Sequence, residues 1–247
     1  MKISFVVPAY NEEAVVAESL HAILRELQRT PTDAEVVLVN NASTDKTKEI
    51  ALTIEGVRVI DELHKGLVRA RHAGYVATTG ELVANIDSDT LIPPGWLGKV
   101  LKEFEKDKNL VALSGPYIYH DLSWSHRAMV KVFYFFGYLS YLFNHYILRK
   151  GAMLQGGNFV LRRSAWDKAG GFDTTIDFYG EDTDVARRLA PFGHIKWTWG
   201  LPAYTSGRRL KHEGIIQTGL RYAANYLCVL TTGRPFTKHY KDVRPKS

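Results

Sequence analysis

A single cysteine, Cys228, occurs among 247 residues. No internal disulfide can form, so the fold must be held by its core, and a reducing compartment suits it. Cys228 sits in the apolar run Tyr226–Leu230. It reads as a small core residue, because no cysteine-enzyme motif surrounds it. Long membrane-type runs are lacking as well. The most aromatic stretch, Val132–Phe143, is a run of 12 residues without charge, bounded by Lys131 and by Asn144-His145. A bilayer span needs about 20 apolar residues, while runs of about 10–14 form core or interfacial helices. The opening residues Lys2–Val7 show no basic leader, apolar region or small-residue cleavage site, so no signal peptide is expected there. Internal repeats, low-complexity stretches and a clean linker are absent too, which favours one domain.

What is present is an ordinary globular composition: 45% hydrophobic and 23% charged residues exclude wholesale disorder. The formal net charge is +6, and a basic surface favours anionic partners. The excess is concentrated in residues 207–247, where Arg208, Arg209, Lys211, Arg221, Arg234, Lys238, Lys241, Arg244 and Lys246 face only Glu213 and Asp242. An anionic surface is expected to be met there. No recognisable nucleic-acid module accompanies these charges, so nucleic acid is not the expected partner.

Hydrophobic periodicity organises the first 90 residues. Ile3–Val7, Glu35–Val39, Val57–Ile60 and Leu82–Ile86 read as short buried strands. Between them, Asn11–Arg29 (with Asn11 as N-cap), a segment opened by Ser43–Asp45, and Leu67–Thr78 read as helices. Such alternation predicts an α/β fold with a parallel sheet and right-handed crossovers. Ligands bind beyond the carboxyl ends of strands in such sheets. Polar clusters lie at those ends: Pro8–Glu13, Asn40–Asp45 and Asp87–Asp89. Further on, Gly95–Lys106 reads as a helix, Leu110–Tyr119 as a strand and Trp124–Ile147 as an aromatic helix. Gly156–Leu161 reads as a glycine turn feeding a strand, and Glu181–Leu189 and Glu213–Leu230 as helices.

Two acidic clusters are candidates for chemistry. In Asp87-Ser88-Asp89 the alternate spacing lets both carboxylates face one ion, and hard oxygens suit Mg²⁺ or Mn²⁺, whose other ligands are commonly waters and phosphates. A solvated turn is the plain alternative. Glu181, Asp182 and Asp184 open a helix, where acids complement the macrodipole. Phe172, Phe178 and Tyr179 lie nearby in sequence, and a carboxylate in a partly apolar pocket has a raised pKa and can serve as a base.

The order Val7-Pro-Ala-Tyr-Asn-Glu-Glu13, Val37–Asp45, Asn85-Ile-Asp-Ser-Asp89, Gly156-Gly-Asn158 with Gly170-Gly-Phe-Asp173, and Gly180-Glu-Asp182 resembles family 2 glycosyltransferases of the GT-A fold, over residues 2 to 200. The resemblance implies a Rossmann-like, mixed but mainly parallel sheet flanked by helices in a single domain. Residues 1–90 would bind the nucleotide-sugar, residues 91–206 the acceptor, and residues 207–247 would form a basic helical tail. Ala9, Tyr10 and Glu12 would cradle base and ribose, and Asn41 would contact the base. Lys65 and Arg71 would lie near the nucleotide. Asp87 would meet the ribose or a metal-bound water, and Asp89 would bind the divalent Mn or Mg ion directly. Asp182 would be the catalytic base, with Glu181 beside it.

The activity implied is inverting transfer of one hexosyl or N-acetylhexosaminyl unit from a UDP- or GDP-sugar to an acceptor hydroxyl. That acceptor would be a glycan, a lipid-linked glycan or a small molecule, as in cell-envelope polysaccharide synthesis. The Gln-x-x-Arg-Trp element of processive members is replaced by Thr205–Leu210, which implies non-processive transfer. Arg208 and Arg209 could touch a phosphate or lie in a solvated turn, and His212 could be a third metal ligand or a surface residue. A nucleotidyltransferase is the first alternative, but its usual glycine-rich loop is missing from Pro8–Glu13. A non-catalytic nucleotide- or carbohydrate-binding protein of the same fold is the second. The expected location is cytoplasmic. Val132–Phe143 is either a buried helix or, with the basic tail, an interfacial patch on the inner face of the membrane.

Overall fold

The computed structural model describes residues 1–144, 147, 153–237 and 240–244; His145, Lys238 and Lys246, named above, lie outside them. Four strands, β1 (Ile3–Ala9), β2 (Ala34–Asn40), β3 (Val57–Asp61) and β4 (Leu82–Ile86), alternate with helices α1 (Val16–Arg29), α2 (Thr47–Leu52) and α3 (Leu67–Val76). All their pairings are parallel. Then follow α4 (Trp96–Lys106), β5 (Leu110–Ser114), β6 (Tyr117–Tyr119), α5 (Trp124–Phe143), β7 (Asn158–Arg162), α6 (Arg163–Ala169), α7 (Glu181–Leu189), β8 (His194–Trp197), β9 (Ala203–Thr205), α8 (Arg208–Glu213) and α9 (Ile215–Thr232). The main sheet runs β3-β2-β1-β4-β7-β5-β8, and β6 pairs with β9 in a small second sheet. Strand β7 is antiparallel to both its neighbours, so the sheet is mixed and mainly parallel, as expected.

β1 is buried along its whole length. Ile3, Phe5 and Val7 pack with α1 and α4 residues such as Leu20, Ile23, Leu97 and Phe104. Val6 joins the opposite layer with Val83 and Trp166. Each such side chain contributes about 1.5–3 kcal/mol when fully buried. The one hydroxyl in this strand, Ser4 Oγ, donates to Glu35 Oε1 at 2.8 Å. The strand runs through Pro8 instead of ending there. β4 pairs with β1 only along Ile3–Val6, so one side of Pro8 lacks a neighbouring strand and its missing N–H costs no ladder bond.

Two further expectations change. Asn11 does not cap α1, which begins at Val16 with Val15 as its N-cap. Asn11 lies at φ 51°, a left-handed conformation that Asn tolerates. Its Oδ1 accepts from Thr44 N at 2.8 Å and its Nδ2 donates to Thr44 Oγ1 at 3.1 Å. The side chain thus ties two loops together. Leu110–Tyr119 is two strands, not one. The chain leaves the main sheet at Gly115-Pro116, where a Cβ on Gly115 would fall 2.1 Å from Leu201 O, and β6 joins β9 instead.

Gly74 of α3 is the point where helix and sheet approach most closely. A Cβ there would meet Val6 Cγ1 at 2.3 Å and Val39 Cγ2 at 3.0 Å, whereas one on Gly98 of α4 would have no neighbour nearer than 3.7 Å. Gly74→Ala is therefore expected to lower the unfolding free energy by about 1–3 kcal/mol through overpacking. Gly98→Ala is expected to raise it by about 0.5–1 kcal/mol through chain entropy. Urea denaturation of the two variants checks the opposite signs.

Candidate active site

The polar loops predicted at the strand ends do converge. Asn11 N donates to Ser43 Oγ at 3.1 Å, Glu12 N to Thr47 Oγ1 at 2.8 Å and Glu13 N to Asp45 Oδ2 at 3.1 Å. Ser19 Oγ of α1 donates to Thr90 O at 2.8 Å, which holds the turn after β4. Between these loops lies an open cleft. Pro8, Ala9, Tyr10, Asn41, Lys65, Leu67, Ala70, Phe178, Tyr240 and Arg244 line it. Lys65 Nζ stands 3.7 Å from the Tyr10 ring centre and 2.9 Å from Asp242 Oδ2. Asn41 reaches the cleft, but its amide is committed to the backbone. Nδ2 donates to Glu62 O and His64 O at 3.1 and 2.9 Å, and Oδ1 accepts from Gly66 N at 2.7 Å. It shapes the loop that carries Lys65.

The acidic triplet lies deeper. Asp87 Oδ1 accepts from Arg71 Nη2 at 2.9 Å, and Oδ2 accepts from Tyr117 OH at 3.1 Å. The other Arg71 terminal nitrogen, Nη1, donates to Glu181 Oε1. Arg71 has no exposed surface. It is not among the residues that line the cleft; it is a buried bridge between two acids that are far apart in sequence. Its guanidinium is held protonated above its ordinary range against the opposing cost of burial, chiefly by Glu181 and Asp87. Gly157, at φ 77°, lets the loop backbone pass over this bridge. A Cβ there would lie 2.1 Å from Asp87 Cγ.

Asp89 faces a different set. Its Oδ2 accepts from Arg208 Nη2 at 2.9 Å and its Oδ1 from Thr205 Oγ1 at 3.3 Å. Arg208 also donates to Glu12 Oε1 and Oε2 at 2.9 and 2.8 Å, and Arg244 Nε donates to Glu12 Oε1 at 2.9 Å. Burial, reinforced by the charges of Asp87 and Glu12, pushes the Asp89 carboxyl up to about 6 despite Arg208. Negative charge is thus in excess, and two carboxylates on one turn fit a hard divalent cation. Among the described residues no three His, Cys, Asp or Glu side chains form a ready cage, so such an ion would complete its shell with water and phosphate oxygens. His212 is exposed. Arg209 donates to Glu213 Oε1 at 2.8 Å and lies 4.5 Å from the Phe178 ring centre. Of the three open candidates, Arg208 alone contacts the triplet.

Glu181 and Asp182 begin α7. Asp182 Oδ2 accepts from Gly156 N at 3.2 Å, and Oδ1 from Thr183 N at 2.7 Å. Burial raises its carboxyl pKa, although these backbone donors oppose the shift. Burial also pushes Glu181 up to about 7 against the pull of Arg71, and Glu181 Oε2 is buried without a hydrogen-bond partner. Asp184 points elsewhere, to Arg187 and Arg188, as a structural acid. Phe172 packs on Trp166 in the core, and Phe178 stacks on Tyr240. Tyr117, Thr205, Tyr240 and Arg244 join the site without a sequence motif. Only the charge excess of the tail hints at Arg244.

Residues 4–170 match the family model of glycosyl transferase family 2. An uncharacterized glycosyltransferase of Mycobacterium tuberculosis is 37% identical over 109 residues, 44% of this chain and 46% of its own length. A chondroitin synthase of Pasteurella multocida is 30% identical over 115 residues, 45% of this chain and 12% of its own. The chain thus matches less than half the length of these relatives. Among solved structures, a mannosyltransferase from Pyrobaculum calidifontis in complex with GDP-Man and Mn²⁺ superposes with TM-score 0.65 at 21% identity, covering 87% of this chain and 62% of that one. Glucosyl-3-phosphoglycerate synthase from Mycobacterium tuberculosis, in complex with Mn²⁺, UDP-glucose and phosphoglyceric acid, gives 0.63 at 20% identity, covering 95% and 80%. The shared architecture is the GT-A fold.

The buried bridge generates its own test. Arg71→Met leaves Asp87 and Glu181 facing one another without a cation, and is expected to cost about 3–5 kcal/mol of stability. Chemical denaturation checks it, and a loss below about 1 kcal/mol would contradict the role given to the bridge.

Proposed function

The chain belongs to glycosyl transferase family 2 and is a glycosyltransferase; from that premise we propose that it transfers one sugar, with inversion, from a UDP- or GDP-linked donor to an acceptor hydroxyl. A hexosyl or N-acetylhexosaminyl donor is supported by structural neighbours that hold GDP-Man, UDP-glucose and UDP-GlcNAc. The acceptor belongs to the glycan, lipid-linked glycan or small-molecule class. The observation that carries the reading is the division of the site. A cleft with aromatic and cationic walls is tied through Arg244, Glu12 and Arg208 to Asp89, while Asp182, held by two backbone N–H groups, lies across the Gly156-Gly157 loop from Asp87.

The nucleotide base lies against Tyr10 and Ala9, with Lys65 close to the diphosphate. Asp87 and Asp89 would hold a divalent Mn or Mg ion. That ion, when bound, stabilises negative charge on the departing nucleoside diphosphate. Arg208 balances the charges of Glu12 and Asp89. Asp182 takes the proton from the attacking hydroxyl, and its raised pKa matches the duty of a general base. Glu181 is a positioning residue. Through Arg71 it fixes the start of α7 against Asp87, and so sets where Asp182 stands.

Asp89→Ala is expected to abolish the Mn²⁺ dependence of UDP or GDP binding in calorimetry. Asp182→Asn should keep that dependence while donor turnover falls by about 10²–10⁴-fold. Full turnover in Asp182→Asn would overturn the assignment of the base. The sign of the pH effect follows from burial. A base with a raised pKa is ionised only at higher pH, so turnover is lost as pH falls through it. The wild-type rate should climb along an acidic limb whose midpoint lies above the ordinary aspartate value of about 3.9, and Asp182→Asn should lack that limb. A limb centred on the ordinary value would contradict the argument from burial.

A further inference from the structure

Two long segments of this chain contain no acidic residue: the one between Asp121 and Asp167, and the one between Glu213 and Asp242. The first carries the 20-residue helix α5 and the second the 18-residue helix α9. The two helices pack on one another. A Cβ on Gly219 would come within 2.7 Å of the Phe133 ring, and Asn144 Nδ2 donates to Tyr226 OH at 3.0 Å.

Away from that seam each helix shows an apolar stripe at helical spacing. Val132, Phe136 and Phe143 on α5 are 54%, 63% and 51% exposed, and Ile216, Leu220 and Leu227 on α9 are 58%, 62% and 60% exposed. Large apolar side chains aligned on neighbouring helices form a patch of the kind that marks a docking surface. Arg127 and Lys131 are exposed at the N-terminal end of α5.

We propose that this two-helix face docks on an anionic lipid bilayer, with both helices lying in the headgroup plane. No helix among the described residues is long and apolar enough to cross a membrane, and a strongly apolar face bordered by basic residues belongs to helices that lie along the interface. The charge pattern selects the occupant. Acid-free helices bordered by Arg127 and Lys131 complement anionic headgroups, whereas a second copy would bring the same positive charges against them.

Much of the basic tail is already engaged within the protein. Arg208 and Arg244 pair with Glu12, Arg209 and Arg221 with Glu213, and Lys211 with Asp121. The inner sides of the same two helices pack against the loops around Gly156 and Gly180. Tyr134 of α5 donates to Gln155 Oε1 at 2.7 Å beside the Gly156-Gly157 loop. On α9, the Val229 side chain packs so closely on Gly180 that a Cβ there would lie 2.7 Å away. Docking itself does not rest on the proposed function.

Vesicle flotation tests docking without any sugar transfer. Wild-type protein should float with vesicles of phosphatidylglycerol and phosphatidylcholine in equal parts, binding them about tenfold or more tightly than phosphatidylcholine alone. The double variant Phe136→Glu/Leu220→Glu should lose flotation, yet keep wild-type Mn²⁺-dependent UDP or GDP binding, which shows that it folds. Arg127→Glu/Lys131→Glu should lose the preference for anionic vesicles. Wild-type protein that stays unbound with both vesicle types would overturn the proposal. So would a wild-type dimer, seen by light scattering, that Phe136→Glu/Leu220→Glu converts to monomer, since the face would then belong to a second copy.

Discussion

A guanidinium with no exposed surface joins the two ends of the site. Arg71 donates from its two terminal nitrogens to Asp87 and to Glu181, residues at the end of β4 and the start of α7. A buried cation is costly unless its partners are well placed. Here the geometry leaves little freedom: Tyr117 OH fixes the second oxygen of Asp87, and Gly157 closes over it. Asp87 and the start of α7 are therefore held at one separation, although 110 residues part Arg71 from Glu181. An acid placed on α7 without this link would be free to turn with the helix. With it, Asp182 is held to the backbone of Gly156.

A second charge balance governs the open side. Glu12 is buried and accepts from Arg208 and Arg244, and Arg208 reaches on to Asp89. Tyr240 and Arg244 near the C-terminus thus form part of the cleft, with Tyr240 stacked on Phe178 at 4.8 Å and Arg244 5.3 Å from the Tyr10 ring centre. Part of the basic excess of the tail, which as sequence suggests an outward-facing anion reader, is paired with acids of the protein: Arg208 and Arg244 with Glu12, Arg209 and Arg221 with Glu213. A count of charges records sign and neighbourhood but not direction.

The parallel front half was legible because local patterning and tertiary burial agree there. β-branched runs ending in polar loops have few other ways to fold, and Leu82–Ile86 and Glu181–Leu189 keep their expected bounds. That the triplet and Asp182 would find partners was legible for a related reason, since buried carboxylates demand them. Arg71 was legible as a residue but not in its role. Its position on α3 points to the nucleotide, while its burial depends on an acid 110 residues away. Asn41 lines the cleft, but the hold of the backbone of residues 62–66 on its amide was not legible for a similar reason. Gly115-Pro116 hid a change of sheet within one apolar run. Tyr117 and Arg244 enter the site through long-range packing, which single-chain periodicity does not encode. The aromatic run on α5 was ambiguous between core and interface, because helical spacing cannot say which stripe meets the protein. The structure buries one side against Trp197 and leaves Phe136 outward.

The central claim is a single displacement across this site, with the diphosphate leaving on the side of Asp87 and Asp89 and the hydroxyl attacking from the side of Asp182. Proton NMR of the newly formed glycosidic bond, measured before anomeric equilibration, tests it most directly. An α-linked nucleotide-sugar should yield a β-linked product. An α-linked product would require a covalent or front-face route, and would contradict the role given to Asp182.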